Sequence, residues 1–194
     1  DDVESRGLGD VYKRQDKEKL YRAEAAALTD IRRTEAEKLQ RELLSHLKDL
    51  GMEKARFEVR IDLLTEPGQN GMDRVEFMLS ANPGESLKPL EKVASGGEMS
   101  RIMLAFKAIA ANADSIPTLI FDEIDTGISG HIAAVVGEKM VSIADNHQVL
   151  CVTHLPQIAA LADVHFMVQK QDDGQTTRTC LLYTSPSPRD STSS

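Results

Sequence analysis

Two short apolar runs restrict this chain to few architectures. Thr118-Leu119-Ile120-Phe121 follows Pro117, and Val149-Leu150-Cys151-Val152 runs into Thr153-His154. Each is short and rich in β-branched or aromatic residues, so each reads as a buried strand. Residues 132–143 supply a helix between them, and an apolar-periodic run, Ile102, Met103, Leu104, Phe106 and Ile109, precedes the first. Val164-His165-Phe166-Met167-Val168 adds a further strand. Strands alternating with helices predict an α/β fold with parallel strands in its core. Ligands in such sheets sit beyond the carboxyl ends of the strands, so the residues after each run matter most.

The first strand ends in Asp122-Glu123. Side chains alternate along a strand, so the two carboxylates are expected to point differently and take separate tasks. An apolar strand ending in acid is the Walker B arrangement, whose Asp helps to hold Mg²⁺ while the adjacent Glu acts on the attacking water. Two solvated acids at a strand terminus would read the same way. His154 can donate to a phosphate oxygen while a neighbour holds its other nitrogen, or it can be an ordinary core or surface histidine. Upstream, Val93-Ala94-Ser95-Gly96-Gly97-Glu98-Met99-Ser100-Arg101 opens the apolar-periodic helix. Paired glycines at a helix start expose N–H groups where the dipole also favours an anion. Ser95-x-x-Glu98 is equally a capping box, which closes the helix start without a ligand.

Taken in order, Ser95-Gly96-Gly97-Glu98, Phe121-Asp122-Glu123 and Thr153-His154 resemble the C-terminal lobe of an ABC-type (P-loop NTPase) ATPase head: signature motif, Walker B and switch histidine. The wording is closer still to the RecN family of bacterial DNA-repair proteins, SMC-like members of that class. Asn82-Pro83-Gly84-Glu85 with Pro89-Leu90, the run from Lys92 to Glu98, the run from Ile120 to Gly130 and the run from Val152 to Ala159 all carry this similarity. It extends over residues 23–179. ABC transporters and SMC heads usually carry Leu where this chain has Ala94, and they lack the Asp-Thr-Gly-Ile-Ser-Gly wording after Walker B.

The resemblance implies a role for each position. Ser95, Gly96 and Gly97 would contact the γ-phosphate of ATP held on an opposing head, with Glu98 supporting that loop. Asp122 would act on Mg²⁺ and Glu123 would be the catalytic base. Asp125 would lie in the segment that crosses the dimer interface, its tight path allowed by Gly127 and Gly130. His154 would sense the γ-phosphate. The family further implies an ATPase working in recombinational repair of DNA double-strand breaks, cytoplasmic and nucleoid-associated in a bacterium. Its partners would be a second RecN-like head in a homodimer, and DNA through the intact protein. Two other readings stand beside it: the head of another SMC-like chromosome-structural ATPase, or a catalytically inactive DNA-tethering module.

One departure is large. No Gly-x-x-x-x-Gly-Lys-Ser/Thr occurs, so the cradle for the α- and β-phosphates is absent. In the RecN family that loop lies in an N-terminal lobe ahead of a long coiled coil. The chain therefore reads as the second part of a longer protein, with negligible ATPase activity by itself.

The remaining organisation follows from composition. Residues 16–50 are charged, free of Gly and Pro and rich in helix formers. Leu20, Ala23, Ala27, Leu28, Ile31, Leu39, Leu43, Leu47 and Leu50 form a stripe, with Gly51 as a stop. At about 1.5 Å per residue the helix would reach about 50 Å, which suits a coiled-coil arm or a long amphipathic surface helix. The resemblance makes residues 51–179 the expected ATPase lobe, in which Arg56-Phe57-Glu58-Val59-Arg60-Ile61 and Arg74-Val75-Glu76-Phe77-Met78-Leu79 alternate as strands joined by a loop over residues 66–71. Residues 1–15 and 180–194 resemble translated adapter sequence or disordered tails and are set aside, which would also remove the authentic end of the lobe. The net charge of −8 speaks against a broad DNA-binding face. Cys151 reads as a buried small hydrophobe, no histidine has metal-ligand spacing, and no segment reaches the length of a membrane span.

Overall fold

The computed structural model describes residues 2–93, 96–110, 115–172 and 177–186. In chain order the elements are α1 (Asp2–Asp49), β1 (Arg56–Gly68), β2 (Gly71–Ser80), β3 (Lys88–Pro89), a 3₁₀ turn (Leu90–Lys92), α2 (Gly96–Ala110), β4 (Thr118–Phe121), α3 (Gly130–Ala144), β5 (Gln148–Cys151), α4 (Pro156–Ala159), β6 (Val164–Asp172) and β7 (Thr177–Pro186). They form two compact units, Asp1–Leu44 with Lys54–Val93, and Ser45–Glu53 with Ala94–Ser194.

α1 begins at Asp2, well before the regular stripe at residue 16. Gly7 and Gly9 cost about 1 kcal/mol each relative to Ala, but no Pro occurs before Pro67, so a helix nucleated in the strong run carries through them. Residues 2–15, expected as a tail, are therefore helical. The stripe itself divides. Leu43, Leu47 and Leu50 are fully buried, whereas Leu20 and Ile31 are exposed and Ala25, not Ala23 or Ala27, is buried.

In the first unit, β1 and β2 form an antiparallel hairpin in register from Arg56↔Ser80 to Gly68↔Gly71, with an irregularity between Leu63 and Gly68. The strands run further than their alternation suggested, and the connection narrows to Gln69-Asn70. Gly71, at φ 97°, takes the left-handed conformation that this tight return needs. The helical arm grips the hairpin through polar groups. Thr29 Oγ1 donates to Asp73 at 2.9 Å, and Arg32 Nη1 donates to the same carboxylate at 3.1 Å. Arg32 Nη2 reaches the Asn70 carbonyl at 2.8 Å, and Tyr21 donates to the Gly68 carbonyl at 2.9 Å. Asp73 has a fully buried side chain, so the Thr29 and Arg32 Nη1 donors offset its desolvation.

The second unit holds the α/β core. Its first piece is the end of α1, closed by a Schellman motif: Met52 N donates to Leu47 O at 2.9 Å and Gly51 N to Lys48 O at 3.1 Å. Gly51 sits at φ 78°, and Leu47 and Met52 supply the buried apolar pair that accompanies such caps. β4 and β5 pair in parallel from Thr118↔Gln148 to Phe121↔Cys151, with α3 as the crossover. Leu119 and Phe121 are buried, while Ile120 on the other face is 70% exposed and Val152 just past β5 is 60% exposed. The strands are thus buried on one side only, because helices cover this two-stranded sheet on one face. α3 packs close to the short α4, where a Cβ on Gly137 would overlap Leu161. β6 and β7 form an antiparallel hairpin whose register includes Gln169↔Cys180 and Met167↔Leu182. Residues 180–186, set aside on sequence, therefore complete a strand, since their Thr, Leu and Tyr side chains suit one. Residues 187–194 lie outside the described residues.

Candidate functional site

The sheet delivers its acids at the expected place. β4 ends at the buried Phe121, and Asp122 and Glu123 follow, both exposed. Asp122 Oδ1 accepts from the Glu123 amide at 2.9 Å, and its carbonyl accepts from Ser100 Oγ at 2.6 Å. Glu123 adopts φ 57°, the left-handed region, at a cost of about 1–2 kcal/mol for a residue with a Cβ. A turn holds it there, with Thr126 N donating to Glu123 O at 3.0 Å. The two carboxylates do point differently, but the cause is this turn and not strand alternation, because β4 has already ended.

The left-handed turn sends the Glu123 side chain over the start of α2. A Cβ on Gly96 would overlap the Glu123 carboxylate, and a Cβ on Gly97 would lie 2.9 Å from Thr126 Cβ and 3.0 Å from the Glu123 carbonyl. Gly97 is buried and is required by this packing. Gly96 is exposed, and an anion approaching its amide would meet the Glu123 carboxylate first. Ser95, and with it the expected capping box, lies outside the described residues. Glu98 stands in the first turn of α2, where a carboxylate complements the helix dipole.

Two residues of α2 that the motif reading passed over hold the turn from its other side. Ser100 binds the Asp122 carbonyl as described. Arg101, 7% exposed, donates from Nη1 to the Thr126 carbonyl at 2.9 Å and, more weakly, to the Ile124 carbonyl at 3.4 Å. Burial holds the guanidinium below the ordinary arginine range, and the charge of nearby Glu98 works against that shift. Its Nε has no hydrogen-bond partner among the described residues. The signal for Arg101 was present in the sequence: it shares a helical face with Gly97, Leu104 and Ala105, so a cation there must enter the core.

The third strand end closes the group. Asp125 is 4% exposed, and its Oδ2 accepts from Thr153 Oγ1 at 2.6 Å and from the His154 amide at 2.8 Å. His154 Nδ1 lies 3.0 Å from the same oxygen, and the side chain is otherwise 74% exposed. Burial pushes the Asp125 carboxyl up, but the hydrogen bonds from Thr153 and His154 and the His154 charge outweigh it, so the carboxyl sits below its usual range. Cys151, at the end of β5, is pushed up to about 11 by burial and by the charges of Asp125 and Asp122, so its thiol is inert near neutral pH.

Residues 122–126 are therefore a hub, touching the α2 start on one side and residues 153–154 on the other. Among the described residues no group of three or more His, Cys, Asp or Glu side chains could hold a metal ion. Mg²⁺ does not need such a group, since it keeps several waters and binds through one or two carboxylates together with phosphates. Asp122 and Glu123 are the exposed carboxylates of this turn. No helix among the described residues is long and apolar enough to cross a membrane.

The chain is 50% identical over 155 residues to the DNA repair protein RecN of Halalkalibacterium halodurans, covering 78% of this chain and 27% of that protein. It is 45% identical over 170 residues to the DNA repair protein RecN of Bacillus subtilis, covering 79% and 30%. For the DNA repair protein RecN of Deinococcus radiodurans the identity is 49% over 151 residues, covering 77% and 26%. The chain thus spans between about a quarter and a third of these relatives' length. No protein-family model matches it. Among solved structures, the Smc head domain with a coiled coil and joint from Pyrococcus yayanosii superposes with a TM-score of 0.54 at 21% identity, covering 95% of this chain and 32% of that one. The Smc head domain with an extended coiled coil from Pyrococcus furiosus, solved with the C-terminal domain of ScpA, gives 0.50 at 21% identity, covering 93% and 45%. The fold is that of an Smc head domain with its coiled-coil helix.

Proposed function

We propose that this chain, which belongs to the RecN family of DNA repair proteins, supplies one wall of an ATP site completed between two heads. ATP with Mg²⁺ would provide the phosphoryl bond whose hydrolysis separates those heads. Asp122 would hold the metal directly or through water. Glu123 would accept a proton from the attacking water at its carboxylate oxygen, after leaving its position over Gly96. The exposed edge of the His154 ring would face the γ-phosphate. Ser95, Gly96 and Gly97 would present backbone amides to a nucleotide on the opposing head, with Glu98 supporting their loop. The output would be recombinational repair of DNA double-strand breaks in the bacterial cytoplasm, close to the nucleoid, with the long helix as part of a coiled-coil arm.

One observation carries this reading. A single five-residue turn, 122–126, links the Gly96-Gly97 helix start to Thr153-His154 at the carboxyl ends of parallel strands, where α/β sheets bind ligands. Two solvated acids at a strand end would need no such links. The test uses the intact protein that carries this segment, followed by size-exclusion chromatography with light scattering. Glu123→Gln is expected to accumulate an ATP-dependent dimer, and Ser95→Arg to abolish it. If neither substitution changes ATP-dependent association, the reading fails and the inactive tethering module takes its place.

A further inference from the structure

We propose that Asp125 and Thr153 are positioning residues that lock the His154 ring by its Nδ1 edge from within the same chain, leaving Nε2 as the edge that meets a ligand. The proposal rests on the reading of His154 as a phosphate-facing group and says how the ring is aimed. The contacts that carry it lie within one chain.

Asp125 is buried although Asp122, Glu123 and Thr126 around it are exposed. One oxygen, Oδ2, gathers the Thr153 hydroxyl at 2.6 Å, the His154 amide at 2.8 Å and His154 Nδ1 at 3.0 Å. Thr153 Oγ1 also accepts from the Leu155 amide at 3.0 Å, so its one proton is committed to Asp125. Residues 153–155 are thereby fastened to the 122–126 turn by backbone and side chain together. A carboxylate only accepts, so the proposal requires the imidazole nitrogen beside it to carry the proton. In the neutral ring that leaves a lone pair on Nε2. When the ring is charged, Nε2 carries a proton as well, and this is the form that can donate to an anionic oxygen, with Asp125 balancing the charge. A three-residue chain of this kind fixes both the direction and the protonation pattern of the exposed edge.

The 194-residue chain itself is the test material. Long-range ¹H–¹⁵N NMR spectra at alkaline pH, where free imidazole is neutral, report the tautomer of each ring. His154 is expected to be Nδ1-protonated in the unsubstituted chain and in Thr153→Ser. Asp125→Ala and Thr153→Val are expected to lose that pattern, with the His154 amide exchanging at least about tenfold faster. Unchanged His131 and His165 signals show that a variant has folded. If Asp125→Ala does not fold, the unsubstituted chain and the two Thr153 variants still decide. Nε2 protonation of His154 in the unsubstituted chain, or one tautomer across all folded variants, overturns the proposal. No nucleotide is present, so this failure leaves the ATP site untouched, and failure of the ATP site leaves these spectra unchanged.

Discussion

Gly96 and Gly97 are adjacent yet do different work. Gly97 abuts backbone and a branched side chain, so Gly97→Ala must shift the 122–126 turn against α2. It is expected to cost about 1–3 kcal/mol, read as a lower urea midpoint with an unchanged slope. Gly96→Ala meets only the end of the flexible Glu123 side chain and is expected to cost less in the same titration. Equal costs would contradict this division. Asp125 makes a second prediction. Its folded carboxyl lies below its usual value, so its contribution to stability is complete above the unfolded value of about 3.9 and is lost as pH falls through the folded one. Urea midpoints measured from pH 7 downwards should therefore fall more steeply in the unsubstituted chain than in Asp125→Asn, and parallel curves would contradict this. At this scale the sequence located the strand ends but not the contacts made there. Asp122, Glu123 and His154 announce themselves by following strands. That Asp125 turns inward, that Glu123 lies over Gly96 and that Arg101 binds two carbonyls all depend on a left-handed turn, which no spacing rule marks at a glutamate.

Among the elements, the parts fixed by local chemistry were the legible ones. Gly51 after a leucine-rich stripe marked the helix stop, and the structure closes α1 there with both Schellman bonds. Gly51→Ala puts a Cβ into left-handed backbone 3.3 Å from Ile132 Cγ2 and is expected to lower stability by about 1–2 kcal/mol, measurable as a lower melting temperature. An unchanged midpoint would mean that this cap contributes nothing. The strands β1, β2, β4, β5 and β6 were visible in alternation or in short apolar runs. The early start of α1 and the pairing of β7 were not, because helix propagation and hairpin pairing are non-local gains that propensity does not record. Arg101 joins α2 to the turn after β4. Arg101→Ala leaves the Thr126 and Ile124 carbonyls without this donor and is expected to cost about 1–3 kcal/mol. The loss should appear as faster amide exchange at residues 122–126 as well as in the melting curve, and protection equal to the unsubstituted chain would argue against this coupling.

For the whole molecule the proposal is that catalysis would be shared, the signature loop of one head serving the acids of the other. The isolated chain has no phosphate-loop motif and is expected to turn over no ATP in a steady-state phosphate-release assay. The most direct measurement mixes two inactive forms of the intact protein, one bearing Glu123→Gln and the other Ser95→Arg. In a mixed pair, one site combines both lesions and the other is entirely normal. The mixture should therefore recover ATPase activity that neither form shows alone, in proportion to the mixed pairs formed. A mixture as inactive as its components would contradict a site built across two heads.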